Sequence, residues 1–115
     1  MRRGEIRLVD FEPARGAEAD KRRPAVIVSN DGANLTASRL GRGVLVVVPI
    51  TSNVRRIYPF QVLLPAALTA LPRDSKAQAE QVRAVAFDRI GQRVGQLPES
   101  LMLDLSEALR LHLDL

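Results

Sequence analysis

The chain has 115 residues, enough for one modest core, with 46% hydrophobic and 26% charged residues, an ordinary balance for a globular protein. It contains no cysteine, which excludes disulfides and thiol chemistry. No run approaches the roughly 20 apolar residues of a membrane span, and no apolar core follows the basic start Arg2-Arg3, so no export signal is expected and the cytoplasm is the default compartment. The net charge is +4, and all of the excess lies in the first half. Residues 1–60 hold 11 Lys/Arg against 6 Asp/Glu, and residues 61–115 hold 6 against 7. Such asymmetry fits a basic face for a polyanion, and equally a solvated surface in an arginine-rich chain.

Residues 5–11 alternate apolar and polar, as a half-buried strand does. Residues 12–23, with Pro13 and Gly16 and no period, read as a loop. The β-branched run Pro24–Ser29 predicts a buried strand. Residues 30–42 are polar with two glycines and read as a loop containing one helical turn. Residues 43–51, the most apolar stretch, predict a central strand, with Pro49 marking its end or a bulge. A loop over 52–59, a strand over 60–64 and a connection over 65–75 follow. Residues 76–87 are ambiguous: Ala, Gln and Glu favour helix, while Ala77, Ala79, Gln81 and Arg83 alternate with their neighbours in a loose period of two. Residues 89–95 predict a last strand. Pro98 suits the first turn of a helix, and Leu101, Leu105, Ala108 and His112 continue at helical spacing. Glu99 early and Arg110 late suit the helix dipole. These elements predict a mainly β, α+β fold: a small barrel or bent antiparallel sheet with one C-terminal helix, a single domain over 1–115.

Chemistry has few places to sit. The single histidine, His112, rules out a histidine pair within one subunit and fits an exposed helix position. No cluster of His, Asp and Glu has ligand spacing, so neither metal nor cofactor is expected. No glycine-rich phosphate loop or serine-hydrolase elbow is present. There remain Arg23, where a polar loop meets a buried strand, Thr51, where the central strand leaves the core, and Glu18, in the loop before Arg23. Junctions of this kind form rigid rims. A guanidinium matches two phosphate oxygens at once, and a threonine hydroxyl can bond a third. On spacing alone each has a plainer explanation: a solvated arginine, a strand cap and a salt-bridge partner.

The segment RGEIRLVDFEPARGAEADKRRPAVIVSND, with VVPITS, YPFQVLL, RDSKAQAEQVRAV and RIGQRVGQLP in order behind it, resembles the MazF/PemK family of toxins. The likeness runs over essentially the whole chain. It implies an SH3-like barrel with a helix, of the CcdB/PemK kind, a homodimer, and sequence-specific, metal-free cutting of single-stranded RNA by the toxin of a type II toxin–antitoxin module. Carried over by residue, Arg23 takes the catalytic arginine, Thr51 the phosphate-binding hydroxyl and Glu18 the loop carboxylate proposed as a base in some members. Ser75, Gln81 and Arg83 fall in the block that shapes the RNA groove. Arg15, Ser52, Asn53, Arg55 and Arg56 in the two polar loops are expected to help bind RNA. Attack by the 2′-hydroxyl would leave a 2′,3′-cyclic phosphate and a 5′-hydroxyl. The expected partner is an antitoxin with an acidic, disordered tail, its carboxylates near the Arg15–Arg23 and Arg55–Arg56 loops and its apolar anchors near Phe60 and the dimer seam. Two positions depart from the family pattern: Arg7 stands where an aromatic is usual, and Ala17 where Ser is common. Two other classes compete with this reading, a gyrase-inhibiting toxin of the CcdB type and a non-catalytic RNA-binding module. The low aromatic content, 3%, counts against the last.

Overall fold

The apolar run near the middle of the chain forms β3 (Val44–Thr51), the strand around which the rest is arranged. A computed structural model describes residues 1–11 and 22–115. On one side β3 pairs antiparallel with β2 (Arg22–Ile27), which pairs with β1 (Glu5–Asp10), which pairs with β7 (Ile90–Gln96). The other side of β3 is shared. Val44–Val47 pair with β6 (Arg83–Ala86), and Ile50 and Thr51 pair with β5 (Ser75–Gln78), which carries β4 (Gln61–Leu64) beyond it. The seven strands thus form an open antiparallel sheet in the order β4-β5-β3-β2-β1-β7, with β6 branching from β3. Pro49 sits where the outer edge of β3 passes from β6 to β5. A residue without an amide hydrogen is least costly at such a changeover.

Both faces of the sheet are covered. On one face Ile6, Val26, Val48, Ile50, Val62, Leu64 and Ala77 pack against Leu101, Leu105 and Ala108 of the C-terminal helix α3 (Glu99–Leu113). On the other, Val9, Ala25, Ile27, Leu45, Val47 and Val85 pack with Ala37 of α1 (Asp31–Leu40). Successive residues of β2 and β3 therefore enter different cores, and both strands read as continuous apolar runs rather than alternating ones. Leu105 is fully buried. Truncating such a side chain to alanine costs about 2–5 kcal/mol.

The strands expected at 5–11, 24–29, 43–51, 60–64 and 89–95 are present with ends moved by a residue or two. The terminal helix begins at Glu99, with Pro98 as its N-cap rather than inside its first turn. Within 76–87 the period of two prevails: β5, a 3-10 turn over Ala79–Gln81, then β6. Residues 65–75 hold a short helix, α2 (Ala66–Thr69), within the expected connection.

The stretch 30–42 corrects the sequence reading. It is a ten-residue helix, not a loop with one turn. Its stop signals are local. The Asn30 side chain accepts the Ala33 amide at 2.8 Å, and Gly41 closes the other end at φ 63°. Its buried positions are Asn34 and Ala37, while Leu35 and Leu40 face outward, so no apolar stripe marks it. Asn34 is satisfied inside, donating to the Ser29 carbonyl at 2.9 Å and bonding the Ser29 hydroxyl at 2.6 Å. At the start of α1 the Arg3 amide donates to Asp31 at 2.7 Å, which holds that carboxyl below its ordinary range.

Candidate RNA-binding cleft

The register of β2 and β3 determines the candidate site. Ala25 lies opposite Pro49, and two residues further along each strand stand Arg23 and Thr51, on the same face. On the far side of Thr51 its cross-strand partner is Lys76 of β5. The start of β2, the end of β3 and the segment before β5 therefore converge on one cleft of about 280 Å³. Its walls include Arg22, Arg23, Thr51, Ser52, Arg73 and Ser75, with Leu71 and Pro72 as an apolar side. All three arginines are exposed, and no Asp or Glu of the described residues lines it. Guanidinium groups around a concave, partly apolar surface suit a phosphate ester better than a neutral or cationic ligand.

Hydroxyl geometry sorts the polar members. Thr51 Oγ1 accepts the Asn53 amide at 3.2 Å, so its oxygen closes a turn while its proton stays available to a ligand oxygen. Asn53 Oδ1 likewise accepts the Arg55 amide at 3.2 Å, which makes Asn53 a turn former outside the cleft wall. Ser75 is buried and donates to the Arg73 carbonyl at 3.0 Å, bracing the arginine segment. The neighbouring Asp74 accepts the Ala66 amide at 2.8 Å and holds the start of α2.

The structure thus brings Arg23, Thr51, Ser52 and Ser75 together, and the other expected residues among those described lie outside the cleft wall. Arg55 and Arg56 are exposed on the loop after β3, outside the cleft wall. Gln81 is exposed on the 3-10 turn. Arg83 lies opposite Val47, four residues from Thr51 on β3, or about 13 Å along the strand. Its guanidinium is 5.3 Å from the centre of the Phe11 ring. Its separation from Thr51 is wider than a single phosphate group. Glu18, Arg15 and the departure at Ala17 lie outside the described residues. Arg7 is partly buried, donating to Glu5 at 3.0 Å and to the Gly91 carbonyl at 3.0 Å, so it ties β1 to β7. His112 is exposed, its ring 5.9 Å from that of Phe60. Among the described residues no three His, Asp or Glu side chains gather as a metal site would require.

Three cleft or near-cleft cations escaped the sequence reading: Arg22, Arg73 and Lys76. Arg22 adjoins Arg23 and was readable as part of the same basic pair. Arg73 and Lys76 come from a segment whose nearness to Thr51 exists only through the β3–β5 pairing.

An open antiparallel sheet with a helix on each face, carrying an arginine-lined cleft at its strand ends, defines a small β protein with a basic cleft. Comparison with known proteins gives the family. A family model described as PemK-like, MazF-like toxin of type II toxin-antitoxin system matches residues 2–113. The chain is 59% identical over 115 residues to Endoribonuclease MazF9 of Mycobacterium tuberculosis, covering 100% of this chain and 98% of that protein. The fold superposes on MazF of Deinococcus radiodurans with a TM-score of 0.79 at 25% identity, covering 100% of this chain and 97% of the other. It also superposes on a mycobacterial endoribonuclease solved with its cognate antitoxin, with a TM-score of 0.78 at 23% identity, covering 100% and 96%. The chain belongs to the PemK-like, MazF-like family of toxins of type II toxin–antitoxin systems.

Proposed function

We propose that this MazF-like endoribonuclease toxin cuts single-stranded RNA at a defined sequence, without a metal ion, in the cytoplasm and as a homodimer. The observation that carries the reading is that Arg23, at the start of β2, and Thr51, at the end of β3, line one cleft whose described walls hold three arginines and no acid. In RNA the 2′-hydroxyl lies beside its own phosphodiester, so the nucleophile is already attached. The protein must remove its proton, stabilise a crowded phosphorane and protonate the departing 5′ oxygen. Arg23 meets the developing charge, and the Thr51 hydroxyl donates to a nonbridging oxygen. Glu18 accepts the 2′ proton, and Arg23 passes a proton to the leaving 5′ oxygen. The products are a 2′,3′-cyclic phosphate and a 5′-hydroxyl. DNA, which lacks the 2′-hydroxyl, is not cut.

The cognate partner is an antitoxin whose acidic, disordered tail orders across the basic loops and competes with RNA. A gyrase-directed toxin would have no use for this Arg23–Thr51 geometry.

One assay tests the reading. Wild-type protein and Arg23→Ala are incubated with mixed single-stranded RNA, with and without EDTA, and the ends of the fragments are mapped. Wild type is expected to cut equally in both conditions. Arg23→Ala, with an unchanged circular dichroism spectrum, is expected to cut about 10²–10³-fold more slowly. Near-normal cutting by the folded variant removes Arg23 from the chemistry. Activity lost in EDTA and restored by magnesium reverses the mechanism.

A further inference from the structure

The loop between β3 and β4 is held at four points. Its first two turns are closed by the Thr51 and Asn53 side chains. Further on, the buried Lys76 ammonium donates to the Arg56 carbonyl at 2.7 Å. Gln61 accepts the Tyr58 amide at 3.1 Å while its own amide group donates to Glu80 at 2.8 Å. A loop rich in polar residues is thereby fixed against the sheet beside the cleft.

What that loop displays is an aromatic stack. The Tyr58 and Phe60 rings lie 4° from parallel with centres 5.5 Å apart, an offset arrangement. The Arg56 guanidinium donates to the Tyr58 hydroxyl at 3.1 Å and lies 5.7 Å from the ring centre. Lys76 Nζ is 5.9 Å from the same centre. Tyr58 nevertheless remains 41% exposed. Two of the four aromatic residues of the chain are thus stacked together, Tyr58 exposed with two cations over its ring and Phe60 half-buried behind it. Because Lys76 is the cross-strand neighbour of Thr51, that stack begins one strand away from the cleft. Nothing in the core needs Tyr58: it belongs to neither apolar cluster.

We propose that Tyr58, backed by Phe60 and flanked by Arg56, is a stacking site for an unpaired nucleobase of the RNA whose phosphate is held at Arg23 and Thr51. The site rests on the RNA-cutting reading above and adds a base-contacting element to it. Every base has a π-face, so stacking contributes affinity with little dependence on base identity. Arg56 adds a cation–π contact and a charge for the adjoining phosphate. Lys76 acts as a positioning residue that holds the loop down.

The chain has one tyrosine and no tryptophan, so its intrinsic fluorescence reports on Tyr58 alone. The full chain is titrated with a single-stranded RNA carrying 2′-deoxyribose at the cut nucleotide, which blocks cleavage, and with copies made abasic at each flanking position. Saturable quenching is expected with the intact RNA, and one abasic copy is expected to abolish it. Tyr58→Leu is expected to bind the intact RNA roughly 5- to 100-fold more weakly, and Tyr58→Phe to bind close to wild type. The Tyr58→Leu and abasic losses should not add. Unquenched fluorescence at saturation, wild-type affinity in Tyr58→Leu, or additive losses each overturn the platform. Cleavage of unmodified mixed RNA is read in parallel. If the wild type cuts no RNA, the function above falls. If it cuts while Tyr58 stays silent, only the platform falls.

Discussion

At Thr51 one side chain serves the fold and a ligand through different atoms. Its oxygen accepts the Asn53 amide, which leaves the hydroxyl proton available to a ligand oxygen. The two roles separate by substitution. Thr51→Ser keeps both groups and is expected to cut RNA within a few-fold of wild type. Thr51→Val keeps the shape, loses both, and is expected to lose about 10²-fold or more in rate, since a single charge-stabilising donor is worth that much. Comparison of kcat for the two variants checks it, and equal rates would remove the hydroxyl from the chemistry. Arg23 and Thr51 were legible beforehand because each stands where an apolar run meets a polar one. Arg73 and Lys76 were not, since nothing within six residues of either marks a strand end of β3. Lys76 also runs against expectation by being buried, and its bond to the Arg56 carbonyl and its place over the Tyr58 ring explain why.

Among the elements, α1 and α2 show what periodicity misses. A helix that buries Asn34 and Ala37 has no apolar stripe, so it reads as a polar loop even with Asn30 and Gly41 at its ends. The short α2 is defined by its surroundings. The Asp74 side chain caps its start, and its Thr69 carbonyl lies so close over β7 that a β-carbon at Gly95 would collide with it. Gly95→Ala is therefore expected to lower stability by about 1–3 kcal/mol through a forced backbone shift, measured by urea denaturation. Unchanged stability would mean that α2 can lift off β7 at no cost. The ambiguity of 76–87 has a similar origin. Ala, Gln and Glu carry helical propensity, but pairing with β3 on one side and β4 on the other overrides it in β5.

At the scale of the whole molecule the basic surplus of residues 1–60 becomes a geometric feature. Arg22 and Arg23 reach the cleft from β2 and Arg73 from the second half, while Arg55 and Arg56 stand exposed on the loop after β3, outside the cleft wall. Exposed arginines at several points along a surface serve an extended polyanion, each phosphate contact releasing counterions. The pair Arg55→Ala with Arg56→Ala is expected to weaken RNA binding and to reduce the slope of log affinity against log salt by about 1–2. Titrations at several salt concentrations measure the slope, and an unchanged value would place both side chains off the RNA path. No helix among the described residues is long and apolar enough to cross a membrane.

The amino-acid sequence by itself determined the kind of fold and put forward Arg23 and Thr51 as candidate site residues. Strand-forming runs, the final amphipathic helix and the junctions at Arg23 and Thr51 are all local signals, and an ordered set of blocks along the chain pointed to the family. Tertiary structure decided what touches what. Pairing of β2 with β3 brings Arg23 and Thr51 to one cleft, and the switch of β3 from β6 to β5 carries Lys76 and Arg73 to the same end. It also turned Tyr58 and Phe60, two residues apart in a polar loop, into a single stack. The reason is physical: propensity and periodicity act over one or two turns of chain, whereas a cleft is made by hydrogen-bond ladders between segments dozens of residues apart, whose register no local pattern records.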